Sequence, residues 1–305
     1  MRVVIIGCGY VGLELSRQLA ERDHDVTGVR RSEAGREAIE AVGEAIDTGS
    51  VESILADATD PESLVSLPDA DVVVFAASSG GRGAEAARAV YVDGLRCVIE
   101  EYGSREASPD RLVYTSSTGV YGDHDGAWVD EETPIAPTTE KTRVLAEAER
   151  VALEATSEFE IDGTVARFAG LYGPDRYRLK RYLNGPVTSG YLNMVHRDDA
   201  AGVIRYLLET DRARGEPVLV VDDEPVDKHV FADWLADECG VTRPEKRSKA
   251  ERIADGNLSM AAERRIRTSK RCANDRLRAF GYEFSYPTFR EGYRDPVASY
   301  RAENS

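Results

Sequence analysis

"RVVIIGCGYVGLELSRQLA", residues 2–20, decides how the rest of the chain is read. After Arg2 come Val3, Val4, Ile5 and Ile6, the β-branched run of a strand buried on both faces. Gly7, Gly9 and Gly12 follow at GxGxxG spacing, with Tyr10 and Val11 between the last two. Apolar residues then return at Val11, Leu15 and Leu19, one face of a helix. The glycine spacing takes its meaning from this strand–turn–helix context. Gly7 permits a tight turn, Gly9 lets the backbone approach a pyrophosphate, and Gly12 lets helix and strand pack closely. The helix start adds N–H groups and the positive end of its dipole. The stretch predicts a dinucleotide-binding turn, against the plainer reading of a structural glycine turn.

Strand and helix alternate outward from there. "HDVTGVRR" (24–31) reads as a second strand, "ADATD" (56–60) ends a third, and Pro61 starts a helix "PESLVSL". "ADVVVFAA" (70–77) is a fourth strand and "EAARAVYVDGLRCVIEEY" (85–102) a long helix. "DRLVYTSS" (110–117), the helix "TRVLAEAERVALEAT" (142–156) and "IDGTVARFAGLYG" (161–173) complete the series. This alternation predicts an α/β fold: a doubly wound parallel sheet (Rossmann) with a smaller C-terminal substrate-binding region. At roughly 100–200 residues per domain, the length suits two domains or one large one. The boundary is placed at residues 1–172 and 173–305, the chain being free to cross back to the sheet.

The end of the second strand bears on the cofactor. An acid there would bind the ribose 2′-hydroxyl of NAD. Here Arg30 and Arg31 stand in its place. A guanidinium fork suits a 2′-phosphate, so NADP is favoured over NAD. Asp57, after the third strand, is a candidate for the adenine amino group or simply a turn residue. Ala76, closing the fourth strand, joins the candidate cofactor set.

Composition excludes other classes. The formal net charge is −16, which disfavours nucleic acid and anionic membranes as partners. Only six of the 39 basic residues are lysine. Scarce lysine with abundant acid resembles proteins of a salt-rich cytoplasm, while an ordinary acidic protein is the plainer reading. No apolar run reaches the roughly 18 residues of a membrane helix. The glycines break up the first apolar run, so it does not read as a signal peptide. Cys8, Cys97, Cys239 and Cys272 have no metal-like spacing and read as reduced structural thiols, so a cytoplasmic location is expected.

Beyond the glycine motif, "YTSSTGVYG" (114–122), "RFAGLYGP" (167–174), "VHRDDAAGVIRYLL" (195–208), "VLVVDDEPV" (218–226) and "YVDG" (91–94) occur in a characteristic order. Together they resemble the extended short-chain dehydrogenase/reductase family, the group of NAD(P)-dependent sugar-nucleotide epimerases and dehydratases. The resemblance implies a Tyr that moves a proton at the reacting oxygen. It also implies a Lys four residues later that lowers the Tyr pKa and holds the nicotinamide ribose, and a Ser or Thr on the substrate oxygen. Ser117 matches the last. Counting back from Glu147 places Thr139 and Arg143 where the Tyr and Lys should be, and no tyrosine occurs from 122 to 171. The chain thus resembles the atypical branch that lacks the pair. Threonine cannot do the work of a phenol that titrates near ~10. Arg143 is expected to keep the ribose contact without giving up a proton.

Tyr121 and His124 are the candidate substitutes, each with a structural alternative: packing for Tyr121, a surface loop for His124. Asp123, His124 and Asp125 are consecutive and face different ways, so no metal is expected. Thr118 and Gly119 stand where the family's dehydratases carry Asp-Glu, which argues against dehydration. Arg176, Arg178, Lys180 and Arg181 form a basic stretch suited to a phosphate or to offsetting local acids; a second one, Arg264 to Arg271, reads as a solvated face. Two functions stay open. One is an NADP(H)-binding epimerase/dehydratase-like oxidoreductase, acting on a sugar-like, possibly phosphorylated or nucleotide-linked carbonyl through a non-standard active site. The other is a non-catalytic NADP-binding protein that senses redox state or regulates a partner.

Overall fold

The computed structural model describes residues 1–80, 83–256 and 258–304. Seven strands form its central sheet: β1 (Arg2–Ile6), β2 (Asp25–Arg30), β3 (Ser50–Leu55), β4 (Val72–Phe75), β5 (Arg111–Ser117), β6 (Asp162–Phe168) and β7 (Pro217–Val220). Their spatial order is β7-β6-β5-β4-β1-β2-β3. The pairs β1–β2, β1–β4, β2–β3, β4–β5 and β5–β6 are parallel. The bonds Val165 N–H to Glu216 and Ala169 N–H to Val220 step forward together, which makes β7 parallel too. The order reverses between β1 and β4, and that reversal opens a crevice beyond the carboxyl ends of the strands.

Helices connect the strands: α1 (Tyr10–Ala20), α2 (Glu33–Glu44), α3 (Pro61–Leu64), α4 (Ala84–Arg88), α5 (Leu95–Gly103), α6 (Glu140–Glu154) and α7 (Arg197–Glu209). The central strands carry the apolar runs read from the sequence, because helices cover both faces there. Val3 to Ile6 and Val72 to Phe75 are all buried. None of the described helices is long and apolar enough to cross a membrane.

Two helices differ from expectation. The segment after Pro61 makes a single turn, capped by Asp60. The long helix expected over 85–102 is α4, a π-helical segment Ala89–Gly94, and α5. Val90, Gly94 and Leu95 are buried, four and five residues apart, a spacing that a turn widened beyond four residues brings to one face. Gly94 lies against the chain after β3, where an added Cβ would come 3.3 Å from the Ala58 carbonyl oxygen.

Arg111, at the start of β5, is 2% exposed. Its guanidinium donates to the Thr164 hydroxyl (2.9 and 3.0 Å), to the Leu207 carbonyl (2.9 Å) and to the Arg212 carbonyl. Burial lowers its pKa to about 10. The neutral oxygens satisfy its N–H groups, so the charge ties β5 and β6 to the end of α7.

The chain divides into two compact units that interleave in sequence, where the reading above drew one boundary at 172/173. The first comprises residues 1–120, 139–168 and 200–218; the second comprises 121–138, 169–199 and 219–305. The second is built from short strand pairs such as Trp128–Val129 with Arg271–Cys272 and Gly170–Tyr172 with Met194–His196. Tyr172, Phe231, Phe289 and Tyr293 form its aromatic core.

Candidate functional site

The first unit gathers the candidate cofactor residues at the carboxyl ends of β1, β2, β3 and β4. Gly7 has φ +81°, and a Cβ there would overlap the backbone of Ala77. Only glycine fits this turn. The N–H groups of Gly7 and Cys8 both bond the Val29 carbonyl, at 3.1 and 3.0 Å, which fastens the turn to β2. Ala76 completes the junction, its N–H bonded to the Ile6 carbonyl at 2.8 Å.

No side chain caps the amino end of α1. Gly9 caps it without a side chain, and no acid lies in its first turn, Tyr10–Val11–Gly12. By contrast, side chains of Ser32 and Thr139 cap α2 and α6. An uncapped helix start carrying a positive end suits an anion. Gly12 sets α1 low on the sheet, since a Cβ there would stand 3.2 Å from Ile5 Cγ2.

Arg30 lies across this turn. Its Nη1 donates to the Cys8 carbonyl at 3.2 Å and would stand 2.8 Å from a Cβ added to Gly9. Arg31 is exposed, with Nη1 3.4 Å from Asp57 Oδ2. Asp57 Oδ1 accepts the Thr59 N–H (2.9 Å) and hydroxyl (2.8 Å), the geometry of a turn. Burial would raise the Asp57 carboxyl, but the Thr59 donors and the Arg31 cation outweigh it and hold it below the usual range. The two arginines and Asp57 thus sit together beside the glycine turn.

At the same carboxyl edge of the sheet, on the β4 side of the reversal, Ser117 closes β5 and is half-buried, its Oγ accepting the Gly119 N–H at 3.2 Å. Thr139 is the N-cap of α6: its hydroxyl accepts the Thr142 N–H (3.1 Å), and Thr142 Oγ1 accepts the Thr139 N–H (3.0 Å). Arg143 is exposed and ion-paired to Glu140 one turn earlier. Glu147, which fixed the sequence register, pairs with Arg88 of α4 at 2.8 and 2.5 Å.

Sequence reasoning passed over Glu149. It is buried and accepts from Ser116 Oγ (2.6 Å) and from Arg167 Nε and Nη2 (3.1 and 2.9 Å). This network joins β5, β6 and α6. The signal for it was present, since Ser116 and Arg167 lie inside the two quoted motifs.

In the second unit, Tyr121 is fully buried and its hydroxyl donates to the Asp130 carbonyl at 2.7 Å. His124 is half-buried, one ring nitrogen 3.0 Å from the Tyr121 carbonyl. Asp123 Oδ1 accepts the Ser269 N–H at 2.7 Å. Among the described residues no cluster of His, Cys, Asp or Glu has the arrangement of a metal site. The second basic stretch is only partly solvated: Arg264, Arg265 and Arg267 are exposed. Lys270 is buried, its ammonium donating to the Gly122 carbonyl at 3.2 Å and pushed down in pKa by burial.

Comparison with known proteins fits this geometry. The model of the NAD dependent epimerase/dehydratase family matches residues 3–220. Protein YeeZ of Escherichia coli K12 is 29% identical over 94% of this chain and 96% of its own. The structure of a putative NAD-dependent epimerase/dehydratase from Methylobacillus flagellatus is 30% identical, covers 98% of both chains and superimposes with a TM-score of 0.75. The fold is shared more widely, as with the human epimerase family protein SDR39U1 with NADPH, at 16% identity, 98% and 99% coverage and a TM-score of 0.74.

Proposed function

We propose, since this chain belongs to the NAD-dependent epimerase/dehydratase family, that it binds NADP(H) in the crevice of its first unit. We further propose that it acts there as an oxidoreductase or epimerase on a sugar-like or nucleotide-linked carbonyl. The start of α1, without a side-chain cap and with Arg30 and Arg31 beside it, carries the cofactor reading. Gly7, Gly9, Tyr10, Val11 and Gly12 form the pyrophosphate turn. Arg30 and Arg31 flank the 2′-phosphate, a dianion suited to guanidinium forks. Asp57 borders the adenine, and Ala76 borders the nicotinamide half. When bound, the nicotinamide supplies or takes up hydride. Ser117 Oγ, at the end of β5, is the hydroxyl available to a substrate oxygen.

A second reading, cofactor binding without turnover, is favoured by the state of the substitute residues. The Thr139 hydroxyl is spent on a helix cap, and the Tyr121 phenol is buried on a backbone carbonyl. Neither is arranged to move a proton.

Titration calorimetry with NADPH and NADH tests the cofactor. NADPH is expected to bind more tightly, and Arg30→Ala with Arg31→Ala to erase the preference by losing about ten- to hundredfold in NADPH affinity. Equal affinities in the wild type, or a preference that survives the double change, would overturn NADP as the cofactor. Turnover across keto-sugar nucleotides and simple carbonyls then separates the two readings, since a sensor binds NADPH and oxidises none of it.

A further inference from the structure

The second unit holds a cavity of about 420 Å³, lined by residues 128–130, the turn after β7 and residues 272–275. Its wall carries four carboxylates, Asp130, Asp222, Asp223 and Asp275, and no Lys, Arg or His. Asp223 is neutralised by Arg278, whose Nε donates to it at 2.9 Å. The other three have no ion pair among the described residues. Asp130 Oδ1 accepts only from Thr133, N–H and hydroxyl, at 2.9 and 2.7 Å. The guanidinium of Arg271 lies 5.1 Å from the Trp128 ring centroid, but its Nε is bonded to the Gly126 carbonyl at 2.7 Å and to none of these acids.

Asp222 gives the cavity its polarity. This side chain is 1% exposed, and its Oδ2 lacks a partner among the described residues. Burial pushes the carboxyl well above the usual carboxylate range, and a positive charge in the cavity would reverse that. The chemistry of the wall narrows the choice of cation. Among the described residues no cluster has the arrangement of a metal site. An unpaired carboxylate oxygen calls for a hydrogen-bond donor, which an ammonium supplies. The Trp128 indole, 54% exposed, adds an aromatic surface that attracts organic cations. Val129 and Pro225 add apolar wall that suits a methylene stem. The volume is that of a small-molecule pocket, typically about 300–1,000 Å³. Three unpaired carboxylates are matched by more than one ammonium.

We propose that this cavity binds a small aliphatic polyamine, its ammonium groups paired with Asp222, Asp130 and Asp275 and its stem along Val129 and Pro225. The proposal does not rest on the cofactor reading, because every lining residue belongs to the second unit.

Titration calorimetry with putrescine tests it, at ~0.5 M KCl so that diffuse attraction to the acidic surface is screened. A single saturable site is expected. Asp222→Asn keeps the shape and an acceptor but removes the charge, and should weaken putrescine about tenfold or more. Asp130→Asn, at an exposed position, should weaken it several-fold. Glu37→Gln with Glu44→Gln removes two charges from α2 and should leave the affinity within about twofold. Tetramethylammonium, a cation without N–H groups, and calcium should not displace putrescine at equal concentration. The absence of a saturable site overturns the proposal, as does an affinity unchanged in Asp222→Asn. A loss in the α2 variant equal to that in Asp222→Asn also overturns it, since the attraction would then be that of any acidic surface. Displacement by tetramethylammonium or by calcium overturns the assignment to an amine.

Discussion

Asp222 lies just beyond β7, 1% exposed, with Oδ2 lacking any partner among the described residues. Oδ1 has only the Glu224 N–H, at 3.4 Å. Burial raises the carboxyl well above its usual range, and Asp223 and Glu224 repel its charge further. The sign follows from linkage. An acid whose folded pKa exceeds its unfolded one binds the proton more tightly when folded. Stability therefore falls as pH rises through the unfolded value near ~3.9 towards the folded value. Asp222→Asn keeps the acceptor and removes the charge. It is expected to raise the melting temperature at pH 8 by several degrees and by much less at pH 5, read from thermal melts of both proteins. A gain independent of pH, or no gain, would show that the site is solvated or paired in solution.

Helix α6 shows what a single element demands of its residues. Thr139 begins it with a capping box, and Glu149 holds its middle to β5 and β6. The two differ in weight. A lost N-cap costs about 1 kcal/mol, whereas removing one partner of a buried ion pair costs about 3–5 kcal/mol. Denaturant unfolding should therefore show a small loss for Thr139→Ala and a loss several times larger for Glu149→Ala. Comparable losses would mean that the Ser116–Glu149–Arg167 network contributes little. This helix also marks where the sequence stops being legible. The strand–turn–helix of residues 2–20 could be read because its signals are local: a β-branched run, three glycines, one apolar helix face. The register of α6 hung on which glutamate serves as the landmark. Glu147 and Glu149 are two residues apart, and periodicity does not say which is buried. Only the long-range partners Ser116 and Arg167 decide it. Counting the same eight residues back from Glu149 reaches Lys141, again no tyrosine. The π-helical segment was hidden for a similar reason, since its widened turn serves packing against residues far away in sequence.

At the scale of the whole molecule the question is charge. The chain holds 55 acids against 39 Lys and Arg, so 16 negative charges remain after every base is paired. Many ion pairs are exposed, such as Arg150–Glu154 and Arg36–Glu33, and exposed pairs contribute about 0–1 kcal/mol each. Salt acts on both sides of this balance. It weakens the exposed pairs and it relieves the repulsion among unpaired acids. Helix α2 shows the local version: Glu33, Glu37, Glu40 and Glu44 share it with a single base, Arg36. Such pairs have little to lose, whereas repulsion among surplus acids acts across the surface over a Debye length of ~10 Å at 0.1 M salt and ~3 Å at 1 M. Relief of repulsion should therefore win, and the melting temperature should climb steadily from low salt to molar KCl. Replacing Glu37 and Glu44 by Gln should raise the low-salt melting temperature and leave the molar-salt value nearly unchanged. The measurement is a series of melts across KCl concentration for both proteins. A flat wild-type curve would mean that the acids are too far apart to repel one another, and the reading of the composition as adaptation to a salt-rich interior would fall.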